Sequence, residues 1–172
     1  MTAALISVTA KGRELSRKIS ALLSEKNIVK RFCFYKNSDE NAVSFSDIKS
    51  LTASVFYESD ALIFICACGI AVRSVAPLIK SKALDPAVIV IDDEGRFVIS
   101  VLSGHIGGAN RLARMLALRT GAEAVITTAT DIGGRFSPDS FAKANGLIIS
   151  DFLAAKEIAA AVLNDEKTGL VS

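Results

Sequence analysis

Ser103-Gly104-His105-Ile106-Gly107-Gly108-Ala109-Asn110 is the stretch richest in groups suited to chemistry: a hydroxyl, the chain's single imidazole, three glycines and a carboxamide. It lies between an apolar run and an amphipathic one. Gly104, Gly107 and Gly108 allow a tight turn and close approach to bare backbone. The helix start that follows offers unpaired amides and the positive end of a dipole, a seat for a carboxylate or phosphate. The same Gly-x-x-Gly-Gly spacing also eases packing of a helix on a strand. His105 stands at that helix start. With Ser103 beside it, it could serve as general base or proton donor, or it could simply cap the helix.

A second polar tip, Thr127-Thr128-Ala129-Thr130-Asp131, could position His105 or a water, although Asp131 also suits a cap on the next turn. Arg73 could meet an acidic ligand or lie on a solvated helix face. A single His and no cluster of Cys, Asp and Glu at ligand spacing speak against a metal site. Cys33, Cys66 and Cys68 lie in apolar runs, and the last two are separated by one residue, so they read as small buried hydrophobes rather than a disulfide or zinc pair. Neither a Walker-type phosphate loop nor a Gly-x-Gly dinucleotide element is present.

The elements that must position these groups follow from hydrophobic periodicity. With 172 residues, 51% hydrophobic and 22% charged, the chain is globular, one domain with the beginning of another. Its net charge of +2 comes from scattered basic residues, with no nucleic-acid footprint. No run approaches the roughly 18 apolar residues of a membrane span and no secretory signal is visible, which points to the cytoplasm.

A strand at Ala4 to Val8 leads into a helix from Arg13, with Leu15, Ile19, Leu22 and Leu23 on one face. Val29 to Tyr35 reads as a second strand, 36–41 as a polar loop, and Ser46-Asp47 as the start of a helix reaching about Ser59. Ala61 to Cys66 is a strand buried on both faces. The helix after Gly69 contains Pro77, which should kink or end part of it. Ala87 to Ile91 and Phe97 to Leu102, joined by Asp92-Asp93-Glu94-Gly95, must be antiparallel. The strand at 97–102 therefore carries Ser103 to the sheet edge opposite Cys68-Gly69. A helix from Ala109 ends at Gly121, with Arg111, Arg114 and Arg119 largely off its apolar stripe. Ala124 to Ile126 should run parallel to 97–102, bringing the polar tips at 103–108 and 127–131 to one edge.

Beyond a turn-rich break, Ile148-Ile149 reads as a short strand or turn, Leu153 to Leu163 as a helix, and Leu170 to Ser172 as the opening of another strand, as though the natural protein continued. The expected fold is α/β: a three-layer sandwich with a mostly parallel sheet containing an antiparallel hairpin. Residues 1–131 form an N-terminal domain and 132–172 the start of a middle region.

Several motifs in order, Gly69-Ile70-Ala71-Val72-Arg73, Ala76-Pro77-Leu78, Asp85-Pro86-Ala87-Val88, Phe97-Val98-Ile99-Ser100, Leu102-Ser103-Gly104-His105, Gly107-Gly108-Ala109-Asn110, Leu112-Ala113 and Val125 to Asp131, closely resemble the CbiG family of cobalt-precorrin 5A hydrolases. The resemblance implies a cytoplasmic enzyme of anaerobic cobalamin biosynthesis. It would open the δ-lactone of a cobalt corrinoid precursor with loss of acetaldehyde, and this chain would be its N-terminal part. Cobalt would arrive with the substrate, so no cofactor of its own is expected, and neither nucleic acid nor a membrane is a partner; a homodimer is compatible. Local chemistry assigns His105, Ser103 and Asp131 to catalysis. It assigns Arg73, Gly104, Gly107, Gly108, Asn110, Thr127, Thr128 and Thr130 to the substrate and its ring of carboxylates. The competing readings are a non-catalytic tetrapyrrole-binding module and, more remotely, a nucleotide-binding α/β domain.

Overall fold

Ala61-Leu62-Ile63-Phe64-Ile65 and Ala87-Val88-Ile89-Val90-Ile91 contain no polar side chain, so strands built from them belong where both faces are covered. In the computed structural model, which describes residues 1–37, 39–128, 136–138, 141–142 and 145–169, they lie at the centre of a seven-stranded sheet. Its strands are β1 (Thr2–Ser7), β2 (Ile28–Phe34), β3 (Val43–Phe45), β4 (Ala61–Ile65), β5 (Ala87–Ile91), β6 (Phe97–Leu102) and β7 (Glu123–Val125). Their spatial order is β3-β2-β1-β4-β5-β6-β7.

The period of two divides the core into two layers. Leu5, Ile63 and Ile89 face Ile19 and Leu23 of α1 (Ala10–Ser24) and Ala113 and Leu116 of α4 (Ala109–Thr120). Their strand neighbours Ile6, Leu62 and Val88 face Val55 of α2 (Ile48–Val55) and Ala71 and Val75 of α3 (Cys68–Val75). Each fully buried Leu, Ile or Phe contributes roughly 1.5–3 kcal/mol, and Leu62, Ile63 and Phe64 are all completely enclosed. The expected three-layer α/β sandwich is the fold observed.

Local chemistry sets the helix ends. Thr9 Oγ1 accepts from Gly12 N at 2.9 Å, so α1 starts at Ala10, earlier than the apolar pattern alone indicates. Asp47 caps α2 through Ser50 N at 2.8 Å. That helix stops at Val55, short of the expected Ser59. Pro77 ends α3 as foreseen: after Val75 the chain tightens into a 3-10 turn at Ala76–Leu78. β3 is the one unforeseen strand. It has only three residues, pairs parallel to the edge of β2 and buries Phe45 alone.

Strand direction fixes the position of the glycine loop. β1, β2, β3, β4 and β5 are mutually parallel. β5 and β6 are antiparallel, with Val88 opposite Leu102 and Ile91 opposite Val98. Gly95, at φ +69°, makes the turn between them, and Asp92 Oδ1 closes it by accepting from Phe97 N at 2.7 Å. β7 runs parallel to β6. The C-terminal end of β6 therefore emerges where β1, β4 and β5 begin.

Away from that edge, Asp39 bridges Arg31 of β2 at 2.7 Å, with side chains only 6% and 7% exposed. Arg31 Nε also donates to Ser16 Oγ of α1 at 3.1 Å. The guanidinium holds the Asp39 carboxyl down at about 2. Cys33 and Cys66 are buried and Cys68 half-buried, all unpaired with one another. Burial pushes the Cys66 thiol up to about 12.

The chain divides into two compact units, Met1–Val125 and Ile126–Ser172. The first holds the whole described sheet and α1 to α4. The second contains α5 (Phe152–Leu163), capped by Asp151, whose Oδ1 accepts from Leu153 N and Ala154 N at 2.9 and 3.0 Å. Ile148-Ile149 is not a strand; it follows a turn in which Gly146 has φ +65°. Leu170 to Ser172 lie outside the described residues. Among the described residues, no helix is long and apolar enough to cross a membrane.

Candidate functional site

The loop from β6 to α4 turns on Ser103, a non-glycine residue in the left-handed region at φ +57°. Such a conformation costs of order 1 kcal/mol and persists only where the surroundings enforce it. Gly107 makes room for it here. A Cβ on Gly107 would stand 2.3 Å from Ser103 Cβ, 2.7 Å from Ser103 O and 3.4 Å from Ala87 N. Only glycine lets the loop double back on itself and lie against the first residue of β5. Gly108, the N-cap of α4, is left-handed at φ +86°.

The loop satisfies much of its own backbone. Gly108 N donates to His105 O at 3.1 Å, Ala109 N to Ser103 O at 3.2 Å and Asn110 N to Gly104 O at 3.0 Å. Two of the amides at the start of α4 are thus engaged by the carbonyls that fold the loop. Asn110 likewise serves the loop. It is 3% exposed and its Oδ1 accepts from Ser100 Oγ of β6 at 2.6 Å. A Cβ on Gly104 would meet that same carboxamide at 2.7–3.0 Å. Asn110 thus ties strand to helix beneath the turn.

Two groups of the loop remain suited to chemistry. His105 is half-buried in the turn, three positions ahead of the Gly108 cap. Ser103 Oγ is buried and has no hydrogen-bond partner among the described residues. An unsatisfied hydroxyl inside a strained loop is the kind of feature that clusters at binding sites.

Of the other expected site residues, Arg73 stands apart. Its Nη1 donates to Gly69 O of its own helix at 3.0 Å, beyond the C-terminal end of β4 and hence at the edge opposite the loop. Thr127 and Thr128 open the second unit. Thr130 and Asp131 lie outside the described residues. The parallel pairing of Ile99 with Val125 does show β6 and β7 pointing to one edge, as the strand-direction argument requires.

A feature that sequence reasoning missed adjoins the glycines: a cavity of about 280 Å³ touched by Gly107 and Gly108. Leu22 and Leu23 of α1 and Leu112 and Met115 of α4 give it apolar walls, and Lys26, Arg111, Arg119 and Glu25 supply its charge. Arg119 Nη1 is engaged by Leu22 O at 3.0 Å. Arg111 and Arg119 fall off the apolar stripe of α4, where sequence periodicity reads them as solvent-facing. Only the packing of α4 beside α1 turns them toward a shared space.

Residues 50–131 match the family described as cobalamin synthesis G N-terminal. A cobalt-precorrin-5A hydrolase of Priestia megaterium is 37% identical over 171 residues, 98% of this chain and 46% of the relative. One of Salmonella typhimurium is 41% identical over 169 residues, 97% of this chain and 47% of the relative. Over residues 50–131 this chain is similar to the CbiG family. It spans about half the length of the curated relatives it matches. The crystal structure of a cobalamin biosynthesis protein G homologue from Sulfolobus solfataricus superposes with a TM-score of 0.57 at 26% identity, over 99% of this chain and 49% of that one. The CbiG match contains β4 to β7 and the whole Ser103–Asn110 loop, so the strained turn lies within the family's own region.

Proposed function

We propose that this chain acts as the N-terminal part of a cobalt-precorrin-5A hydrolase, opening the δ-lactone of a cobalt corrinoid precursor with release of acetaldehyde. The observation that carries the reading is the match, along nearly all of this chain, to about half of two relatives bearing that name, at 37% and 41% identity. Lactone opening requires a base to activate water and donors at the oxyanion that develops on the carbonyl. In this reading His105 handles the proton, and the Ser103 hydroxyl, with no protein partner among the described residues, positions the water or the lactone. The side-chain-free, half-buried backbone of Gly104, Gly107 and Gly108 would let the macrocycle approach the turn closely. Thr127, Thr128, Thr130 and Asp131 would act on the same substrate, while Arg73, at the opposite edge of the sheet, would not reach a ring held at this turn.

Cobalt enters as part of the substrate, and the protein contributes binding, orientation and proton transfer. The same reading places it in the cytoplasm with a small-molecule partner, and it is compatible with a homodimer. The test is a titration of the chain with a cobalt corrinoid, followed by an acetaldehyde assay on the chain and on the full-length enzyme. Corrinoid binding with acetaldehyde release at least in the full-length enzyme is expected. Binding without product in both would leave only a tetrapyrrole-binding module, and absence of binding would overturn the reading.

A further inference from the structure

The cavity beside Gly107 and Gly108 combines three properties that together specify a ligand fragment. The first is size. At about 280 Å³ it falls below the usual range for a complete drug-sized ligand, roughly 300–1,000 Å³. A tetrapyrrole ring cannot enter, but a short side arm can.

The second is charge. Lys26, Arg111 and Arg119 face one carboxylate, Glu25. Arg119 already donates to Leu22 O, whereas Lys26 and Arg111 make no ion pair among the described residues. An exposed, unengaged Arg beside a pocket is the side chain best shaped to grip a carboxylate with two parallel hydrogen bonds. The third is the wall between these charges and the glycine loop: Leu22, Leu112 and Met115 offer an apolar surface to the methylenes that precede such a carboxylate.

We propose that this cavity is a subsite for one acetate- or propionate-type arm of the macrocycle, with Arg111 and Lys26 as its counter-charges. The proposal rests on the corrinoid reading above and adds where the ring is held. An arm seated there passes directly over Gly107 and Gly108, so the ring it belongs to lies across the turn bearing Ser103 and His105. Anion recognition, which the engaged amides of Ala109 and Asn110 do not supply, then falls to the side chain of Arg111, the next residue of α4, and to Lys26 across the cavity.

The experiment compares two probes on the full chain: a cobalt corrinoid with free carboxylates, and the same ring with those carboxylates converted to methyl esters. The acid is expected to bind at least about tenfold more tightly than the ester and to weaken as salt is added. Arg111→Gln and Lys26→Gln should each lower affinity for the acid by about tenfold and leave the ester unchanged, with Arg111→Lys retaining part of the loss. Unchanged ester affinity also certifies that the variants are folded. The backbone amides of Gly107 and Gly108 should shift in nitrogen-15 NMR spectra when the acid binds. Equal affinity for acid and ester, variants that bind the acid normally, or loss of both probes together would overturn the subsite while leaving the corrinoid reading in place. Failure of both probes to bind the unmodified chain would overturn the subsite and the corrinoid reading together.

Discussion

Gly107 and Ser103 approach so closely that a side chain on the first would overlap the second, with 2.3 Å between the two Cβ positions. The lack of a side chain at Gly107 is what lets the loop in front of α4 close against the left-handed Ser103. Gly107→Ala should therefore destabilise the protein by about 1–3 kcal/mol, the range for forcing a methyl into filled space. Gly121→Ala is the control. Its φ of +75° carries conformational strain, but nothing lies within 4 Å, so the cost should be limited to about 1–2 kcal/mol. Denaturant unfolding of the two variants checks the order, and a neutral Gly107→Ala would show that the loop can relax.

Asn110 braces the same loop from below. Asn110→Ala removes the acceptor of the 2.6 Å bond from Ser100 Oγ and empties a buried position. A loss of about 1–3 kcal/mol is expected. The Ser100→Ala, Asn110→Ala double variant should lose less than the sum of the singles, since each change already breaks the same bond.

The ion pair between Arg31 and Asp39 gives the fold an acid sensitivity with a definite sign. Arg31 depresses the Asp39 carboxyl from 3.8 to about 2 in the folded chain. Its ionised form therefore contributes stability that is fully present above about pH 4 and is lost as pH falls through about 2. Thermal unfolding followed from pH 6 to pH 2 should show this loss. Asp39→Asn should lower Tm at pH 6 and flatten the acid limb, and an unaltered pH profile in that variant would exclude the pair as its cause.

Thiol chemistry separates the three cysteines. Cys66 is buried with its thiol pushed up to about 12, so almost no thiolate exists near neutrality. It should resist a disulfide reagent until the protein unfolds. The half-buried Cys68 should react first in the native state. Rapid native labelling of Cys66 would mean that the start of α3 opens readily.

Much of this fold is legible in the sequence because each central strand is apolar on both faces and each helix carries a period of its own. The reversal at β6 was readable from Asp92-Asp93-Glu94-Gly95 alone, since four residues cannot make a parallel crossover. β3 was not, because three edge residues with one buried side chain leave no periodic signal. The glycine loop was recognised as special, but its hydrogen bonding was not. Gly104 O and Ser103 O claim the amides of Asn110 and Ala109 only because Gly107 allows the chain to fold back. The cavity was invisible for another reason: its charges come from Lys26 and Arg111, which are brought together solely by the packing of α1 and α4 on one face of the sheet.

We propose the turn at Ser103 to Gly108 as the place where the lactone is opened, with His105 moving the proton. Acetaldehyde release by His105→Ala in the complete enzyme measures this most directly, with corrinoid affinity followed in parallel. Loss of a general acid or base should lower kcat by about 100-fold or more while affinity for the corrinoid stays within a few-fold of normal. Near-normal acetaldehyde release would contradict the claim and remove His105 from the chemistry.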